Sequence, residues 1–337
     1  IMNKPKLNIK LKITIDKNPK TMSSDKLDTD EVKFPIQKPF LKWVGGKTQI
    51  VYDVMAKFPE KIDNYHEPFL GGGSILLALL SKQKKKLVTI ENNIYAYDLN
   101  PALINTFNQV KNNHVVVIDK LKELSDTFSN ITINTNGQKG APKDLDEDTY
   151  MSTREHYFYW IRGKFNESSK DTAQSAAYFI FINKTDFKGM YREGPNGFNV
   201  PYGQKDRKGI PKIFEERTII DVNELIQSVE FICCDFTDAI KNIKKHDFVY
   251  FDPPYVPVTA NSFVGYTEEG FDMKIHEKLF NQINDIHKKD IKLLMSNANV
   301  ELVTSNFKGY KCQEITTRRA IHSKNPESKA KEVLIYN

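Results

Sequence analysis

A chain of 337 residues, 39% hydrophobic and 11% aromatic, is long enough to bury one large core or two smaller ones, which excludes a disordered protein. Its apolar runs, such as Ser74 to Leu80, fall far short of the roughly 20 residues a membrane helix needs, and no apolar segment with a small-residue cleavage site follows the N-terminal lysines, so neither a membrane span nor a secretory signal is expected. The net charge of +6 is too modest to name a partner, so where the charge sits matters more.

Residues 1 to about 35 are short of large apolar side chains and rich in Lys, Asn, Asp and Ser, the composition of a flexible N-terminal arm. From Phe34 onward, short apolar strands alternate with amphipathic helices, which predicts an α/β layered fold. The stretch "YHEPFLGGGSILLALLSKQKKK" predicts a strand from Tyr65, a glycine turn at Gly71 to Gly73, and a helix whose lysines gather at its C-terminal end, where they suit the dipole. A strand in "NIYAYDLN" leads to Asp98. A long insert follows, mostly helical in pattern, with a Gly/Pro-rich region from Gly189 to Pro211 that cannot be regular helix. "FICCD" and "DFVYFD" predict two more strands, each leading into an acid, and "IKLLMSNAN" a further one.

Acids at the C-terminal ends of parallel strands, with a glycine turn after the first, converge on one crevice in a doubly wound sheet. Gly71, Gly72 and Gly73 allow close backbone approach to a ligand, and Asp98 suits a ribose diol; a tight structural turn explains the glycines nearly as well. No G-x-x-x-x-G-K-[ST] run is present, which argues against nucleotide triphosphate hydrolysis. From Lys184 to Lys212 seven basic residues stand against three acidic ones, interleaved with Phe187, Tyr191, Phe198 and Tyr202. That mixture suits a polyanion with stackable bases, and equally a solvated loop with anchoring rings. Cys233, Cys234 and Cys312 have no metal-ligand spacing and cannot all pair, so a reducing, cytoplasmic compartment and no metal are expected. The histidines, among them His66, His246 and His276, are expected to be structural or exposed.

Taken in order, "FLKWVGGK" (Phe40 to Lys47), "EPFLGGGS" (Glu67 to Ser74), "YDLN" (Tyr97 to Asn100), "FNVPYG" (Phe198 to Gly203) and "DPPY" (Asp252 to Tyr255) resemble the motifs of the Dam-like, alpha-class adenine-N6 DNA methyltransferases. The resemblance runs from Pro39 to the C-terminus. It implies a Rossmann-like doubly wound methyltransferase sheet with an inserted, mainly helical target recognition domain. The implied boundaries are a flexible arm over 1–35, catalytic segments over 36–100 and 215–337, and a DNA-binding target recognition domain over 101–214.

It also implies a site-specific DNA-methyltransferase that transfers methyl from S-adenosylmethionine to the N6 amine of an adenine flipped out of double-stranded DNA, with GATC the expected target. Catalysis would fall to Asp252, Pro253, Pro254 and Tyr255: the Asp252 carboxylate and Pro253 carbonyl accept the two amine hydrogens, the prolines fix the backbone, and Tyr255 stacks on the base. The cofactor would meet Trp43, Lys47, Phe69, Gly71, Gly73, Asp98, Asp235, Phe236 and Asp252. DNA would meet Lys42, Lys184, Phe187, Met190, Arg192 and Pro201, with Phe187 wedged into the duplex, Lys184 on a phosphate and Arg192 reading a guanine, or alternatively a phosphate. A cognate restriction endonuclease is a candidate partner, and a monomer or weak dimer is expected.

Met190 and Gln204 stand where relatives commonly carry Leu and Arg, the "REGPNG" loop differs, and the polar stretch from Asn130 to Asp148 reads as a family-variable insertion. "VPVTANSFVGYTEEGF" reads as a lid over the flipped base or as a surface loop. Three rival readings stay open. Glutamine side-chain methylation is disfavoured by Asp252, where that class carries Asn. Cytosine-N4 methylation usually has Ser or Thr there. A catalytically silent DNA-binding module would show eroded motifs.

Overall fold

A seven-stranded sheet organises the chain, and its first four strands are short runs rich in aromatic and β-branched residues. The seven strands are β1 (Tyr65–Glu67), β2 (Ile94–Asp98), β3 (Val229–Cys233), β4 (Phe248–Phe251), β5 (Lys292–Ala298), β6 (Lys311–Arg318) and β7 (Lys329–Tyr336). The computed structural model describes residues 34–131, 149–203, 210–257, 271–318 and 329–337. The expected arm, the polar stretch after Ile131, Gln204 and the expected lid from 258 to 270 lie outside the described residues.

The strand order is β6-β7-β5-β4-β1-β2-β3. Strands β1 to β5 are parallel, as the alternating pattern predicts, and each is reached by a crossover. Because β2 and β4 flank β1 on opposite sides, the order reverses there, beyond the carboxyl ends of β1 and β4, which is where doubly wound sheets place their ligand crevice. The hairpin of β6 and β7 was not expected. Strand β7 pairs antiparallel with both β5 and β6, so Glu332 stands opposite Ala298 on one side and Ile315 on the other.

Side-chain alternation divides the sheet into two faces. Tyr65, Ile94, Ala96, Val229, Phe231, Phe248, Tyr250 and Leu294 share one core with most of the helices. Val249, Phe251, Leu293, Met295, Val333 and Ile335 form a second core with the helix Met273–Lys288 and the short helix Glu301–Asn306. Over β1, β2 and β3 that second face is not covered in the same way. It carries His66, Tyr95, Tyr97, Glu230 and Ile232, which line a cleft of about 610 Å3, and between β3 and β4 the chain makes the short helix Phe236–Ala239 and a 3-10 turn Ile240–Asn242.

Helix α1 (Ser74–Lys84) begins at Gly73, whose φ of 72° suits a residue without Cβ, and it buries Ile75 to Ser81 without a break. Helix α2 (Pro101–Asn130) starts with Asn100 as cap, its side chain accepting from the Leu103 N–H, and with proline in the first turn. Non-helical angles at Asn113 divide it. Helices α3 (Arg154–Glu167) and α4 (Ala173–Thr185) are capped by Thr153 and Thr172, and α4 packs along α2. Helices α5 (Glu216–Leu225) and α6 (Met273–Lys288) complete the layers, and no helix among the described residues is long and apolar enough to cross a membrane. The Gly189–Pro211 region is non-helical where described. It contains a two-residue hairpin, Glu193–Gly194 against Gly197–Phe198, which Asn166 of α3 holds by bonding both the N–H and the C=O of Phe198.

Phe107 of α2 is fully buried where these layers meet. It sits edge-on to Phe40 with centroids 5.1 Å apart and stacked on Phe231 at 5.0 Å, and its ring would lie 2.9 Å from a Cβ at Gly73. Phe107→Ala should therefore lower unfolding stability by about 3–5 kcal/mol, read as a shift of the denaturant midpoint at unchanged slope.

Candidate active site at the carboxyl edge of the sheet

Strand β4 is buried along its whole length, and Asp252 is the first residue beyond it. Pro253 and Pro254 cannot donate to a ladder, so the chain leaves the sheet here. The turn is held from β5, where the Asn297 side chain accepts the Val256 N–H at 3.1 Å. Lys47 arrives from the other side. Its ammonium lies 2.8 Å from Asp252 Oδ1 and 4.8 Å from the centroid of the Tyr255 ring, and its backbone N–H donates to Ser74 Oγ at the start of α1. The Lys47 side chain is 4% exposed and that of Asp252 19%, so the cation and the Asp252 Oδ1 beside it are enclosed while the Asp252 side chain keeps some exposed surface. Burial pushes the Asp252 carboxyl up to about 6; Lys47 opposes the rise and Glu332 adds to it.

Two further carboxyls face this pair. Glu67, at the end of β1, is 2% exposed and accepts the Tyr65 hydroxyl at 2.7 Å. Burial pushes it up to about 8, the Tyr65 bond opposing and the Asp252 charge adding, so it is largely protonated at neutral pH. Glu332 of β7 accepts the Tyr255 hydroxyl on Oε2 at 2.7 Å and the Thr317 hydroxyl on Oε1 at 2.8 Å. The sequence reading assigned no role to either glutamate. Glu67 opens the quoted "EPFLGGGS" motif, which was its signal. Glu332 had none, because its position depends on the register of an unforeseen hairpin.

Of the residues expected to meet a cofactor, Phe69, Gly71, Gly73, Asp98, Asp235 and Phe236 lie at or just beyond the carboxyl ends of β1, β2 and β3, Asp252 lies beyond β4, and Trp43 and Lys47 lie on the loop that precedes β1. Asp98 accepts the Gly71 N–H on Oδ2 at 2.9 Å and the Asn100 N–H on Oδ1 at 3.0 Å, joining the glycine turn to the start of α2. Burial raises its pKa, with those backbone bonds opposing. The space beside Gly71 and Gly72 holds Trp43: a Cβ would lie 2.9 Å from its ring at Gly71 and 2.8 Å from its Cβ at Gly72. The glycines are thus required by intramolecular packing as well as by the turn. Phe69 stacks on Phe236 with centroids 5.6 Å apart, and both rings meet Phe271. Asp235 caps the short helix after β3 by accepting the Thr237 N–H.

The residues expected to meet DNA gather around one tight turn. Lys188 and Gly189 both have left-handed φ values, 66° and 67°, and Asp186 Oδ1 accepts the Gly189 N–H at 2.7 Å. The Phe187 N–H bonds Pro201 O at 3.0 Å, and Gly203 must be glycine because a Cβ there would lie 2.1 Å from Asp186 O. This backbone presents Phe187 with 43% of its surface exposed. Met190 is half-buried and Pro201 exposed. Arg192 Nε donates to Asn199 Oδ1 at 2.6 Å, leaving the exposed guanidinium oriented along the hairpin.

Lys42 joins this turn to the Lys47 loop. Asn183, at the end of α4, accepts the Lys42 N–H at 2.8 Å and donates to the Lys42 carbonyl at 2.7 Å, while Lys42 Nζ donates to Lys184 O. Burial lowers the Lys184 pKa to about 8, with Lys42 contributing. Lys38, Lys42, Lys188, Trp43 and Thr48 border a cleft of about 380 Å3. Asn183 directly precedes Lys184 in the chain, and no local pattern marks it for this contact. The three cysteines are free, and His66 and His276 are buried. Among the described residues no group of His, Cys, Asp or Glu is arranged to hold a metal ion.

The family model for the D12 class N6 adenine-specific DNA methyltransferases matches residues 43–321. The chain is 34% identical over 312 residues to the type II methyltransferase M.MjaIII of Methanocaldococcus jannaschii, covering 89% of this chain and 99% of that protein. It is 30% identical to the type II methyltransferase M1.LlaDCHI of Lactococcus lactis subsp. cremoris, covering 89% and 95%. It is 31% identical to the DNA adenine methylase of Haemophilus influenzae, covering 87% and 91%.

The Glu67 carboxyl has a folded pKa of about 8 against an ordinary 4.5, so the native state binds the extra proton between those values, and its stability contribution falls as pH rises through them. Glu67→Gln keeps the shape and the acceptor for Tyr65 without that titration. Its thermal midpoint should gain on the wild type between pH 5 and pH 8, checked by calorimetry across that range; a constant difference would show that Glu67 stays ionised.

Proposed function

The chain belongs to the D12 class of N6 adenine-specific DNA methyltransferases, and from that premise we propose how its own residues methylate adenine in DNA. The observation that carries the reading is the partly exposed Asp252 side chain beyond β4 at the reversal of strand order, ion-paired to an enclosed Lys47. With a pKa of about 6 it is ionised at neutral pH.

Adenine's exocyclic amine is a poor nucleophile because its lone pair is delocalised into the ring. Asp252 accepts one N–H and the Pro253 carbonyl the other, which favours the rehybridised nitrogen as positive charge develops. The two prolines fix the direction of that carbonyl before substrate arrives. Since the amine is inaccessible inside a duplex, the base is extruded, at a cost of a few kcal/mol offset in part by stacking on Tyr255. Lys47 keeps Asp252 ionised and occupies one face of the Tyr255 ring, so the base takes the other.

S-adenosylmethionine, when bound, supplies an electrophilic methyl group on a sulfonium. The donor set suits it. The Asp98 carboxylate accepts backbone N–H bonds from Gly71, Asn100 and Leu99, and of its roughly four acceptor sites one is left for a ribose hydroxyl. The Phe69, Phe236 and Phe271 rings offer an apolar face for a purine, with Asp235 alongside, and Trp43, Lys47, Gly71, Gly73 and Asp252 border the remainder.

Residues 101–214 serve as the target recognition domain. Phe187 wedges into the duplex from its rigid turn, Lys184 and Lys42 neutralise or read the strand beside it, and Met190, Arg192 and Pro201 touch base edges, with GATC as target. The exposed Phe187 and the basic cleft around Lys42 support this face.

Asp252→Ala should reduce transfer of labelled methyl into DNA by at least about 100-fold while DNA affinity changes little. In the wild type, kcat should fall as pH drops through about 6, following protonation of Asp252; an acid limb far from that value would refute its role. Arg192→Ala should cost about 1–3 kcal/mol of discrimination at one base pair, seen by mapping methylated adenines in a random-sequence pool. Methylated adenines outside GATC in the wild-type map would replace that target.

A further inference from the structure

Tyr255 is held at both ends by parts of the chain remote in sequence. Its backbone follows two prolines and precedes Val256, which Asn297 anchors. Its hydroxyl donates to Glu332, 77 residues away, on the central strand of the unforeseen hairpin. Thr317 lies two residues beyond the register partner of Glu332 on β6, and therefore on the same face, where its hydroxyl donates to the other Glu332 oxygen. Both oxygens thus accept from a hydroxyl, and the carboxylate cannot swing without breaking one bond. On the ring itself, Lys47 occupies one face.

We propose that Glu332 is a positioning residue for methyl transfer: braced by Thr317, it fixes where the Tyr255 ring stands, on which the extruded adenine stacks, which makes the β6–β7 hairpin part of the active site. The inference rests on Tyr255 being the stacking platform. A tyrosine free to turn about its side-chain torsions offers a base many orientations, only some of which leave the amine in reach of Asp252 and the Pro253 carbonyl. Pinning the hydroxyl fixes where the ring points, and Lys47 over one face limits its turn about its own axis, before substrate arrives. Burial and neighbouring acids raise the Tyr255 pKa well above its usual value, so the phenol remains a donor.

Glu332 has a second, electrostatic effect. The groups facing Asp252 are the Lys47 ammonium, the carboxyls of Glu67 and Glu332, and the hydroxyls of Tyr65, Tyr250 and Tyr255. Of these, Glu332 adds to the rise of the Asp252 pKa and Lys47 opposes it. Removing the Glu332 charge moves the acid limb of the reaction to lower pH even where the hydrogen bond survives.

The test is single-turnover methylation of duplex DNA at saturating S-adenosylmethionine. Glu332→Ala, which leaves the tyrosine hydroxyl without its acceptor, should slow transfer by about 10- to 100-fold, and Glu332→Gln, which keeps an acceptor, should remain within about threefold of wild type. The Gln variant's acid limb should lie below that of the wild type. Tyr255→Phe keeps the ring and deletes the hydroxyl, so adding Glu332→Ala to it should slow transfer no further. Thermal melts of each variant report folding separately. An unaltered rate for Glu332→Ala, or an equal slowing by Glu332→Ala in the wild-type and Tyr255→Phe backgrounds, overturns the positioning role alone. Absence of methyl transfer to adenine by the wild type overturns the reading of the site and the inference with it.

Discussion

The contact between the Lys47 ammonium and the Asp252 carboxylate ties the site together. An enclosed ammonium without a partner costs several kcal/mol, so the loop carrying Lys47 must meet the end of β4. That requirement brings the "KWVGGK" loop against the glycine turn, where Trp43 fills the space that Gly71 and Gly72 leave, and against the first residue of α1 through Ser74. The same contact keeps Asp252 close to the usual carboxylate range in a place where burial alone would carry it further. Its neighbours settle their charges differently: Glu67 takes up a proton, and Glu332 accepts two hydroxyls. One cation among three acids is compatible with a single ionised, partly exposed acid.

The proposed DNA face and the catalytic edge are adjoining parts of one backbone path. Lys42 lies five residues before Lys47, and Asn183 grips its backbone through both the N–H and the carbonyl, in the manner of a strand neighbour. The turn that exposes Phe187 begins three residues after Asn183 and closes over Lys42 at Gly189, where a Cβ would lie 2.4 Å from that of Lys42. Any movement of this turn is therefore transmitted to the loop that holds Trp43 and Lys47.

Much of the fold was legible because its signals are local. Of the five parallel strands, β1 to β4 are rich in aromatic and β-branched residues and β5 opens on the apolar run Leu293 to Met295, each leading into a turn or an acid, and α1 shows its glycine entry and lysine exit. Strands β6 and β7 escaped notice because their residues, "KCQEITTR" and "KAKEVLIY", mix charged and apolar side chains, and half of their pairing lies within the hairpin. The glycines at 71 and 72 were legible as a turn. That a tryptophan side chain fills the space beside them was not, since the ring comes from a segment nearly thirty residues earlier.

The amino-acid sequence by itself determined the chemistry-bearing residues and their places at strand ends, because turn propensity, strand periodicity and the rigidity of two consecutive prolines act over a few residues. Only the tertiary structure decided which strands lie side by side, and so which acid meets Lys47, which carboxylate holds the Tyr255 hydroxyl and which amide grips Lys42. Those partners stand at least 77 residues apart. No local pattern encodes a pairing register at that separation; it follows from burying all the apolar faces at once.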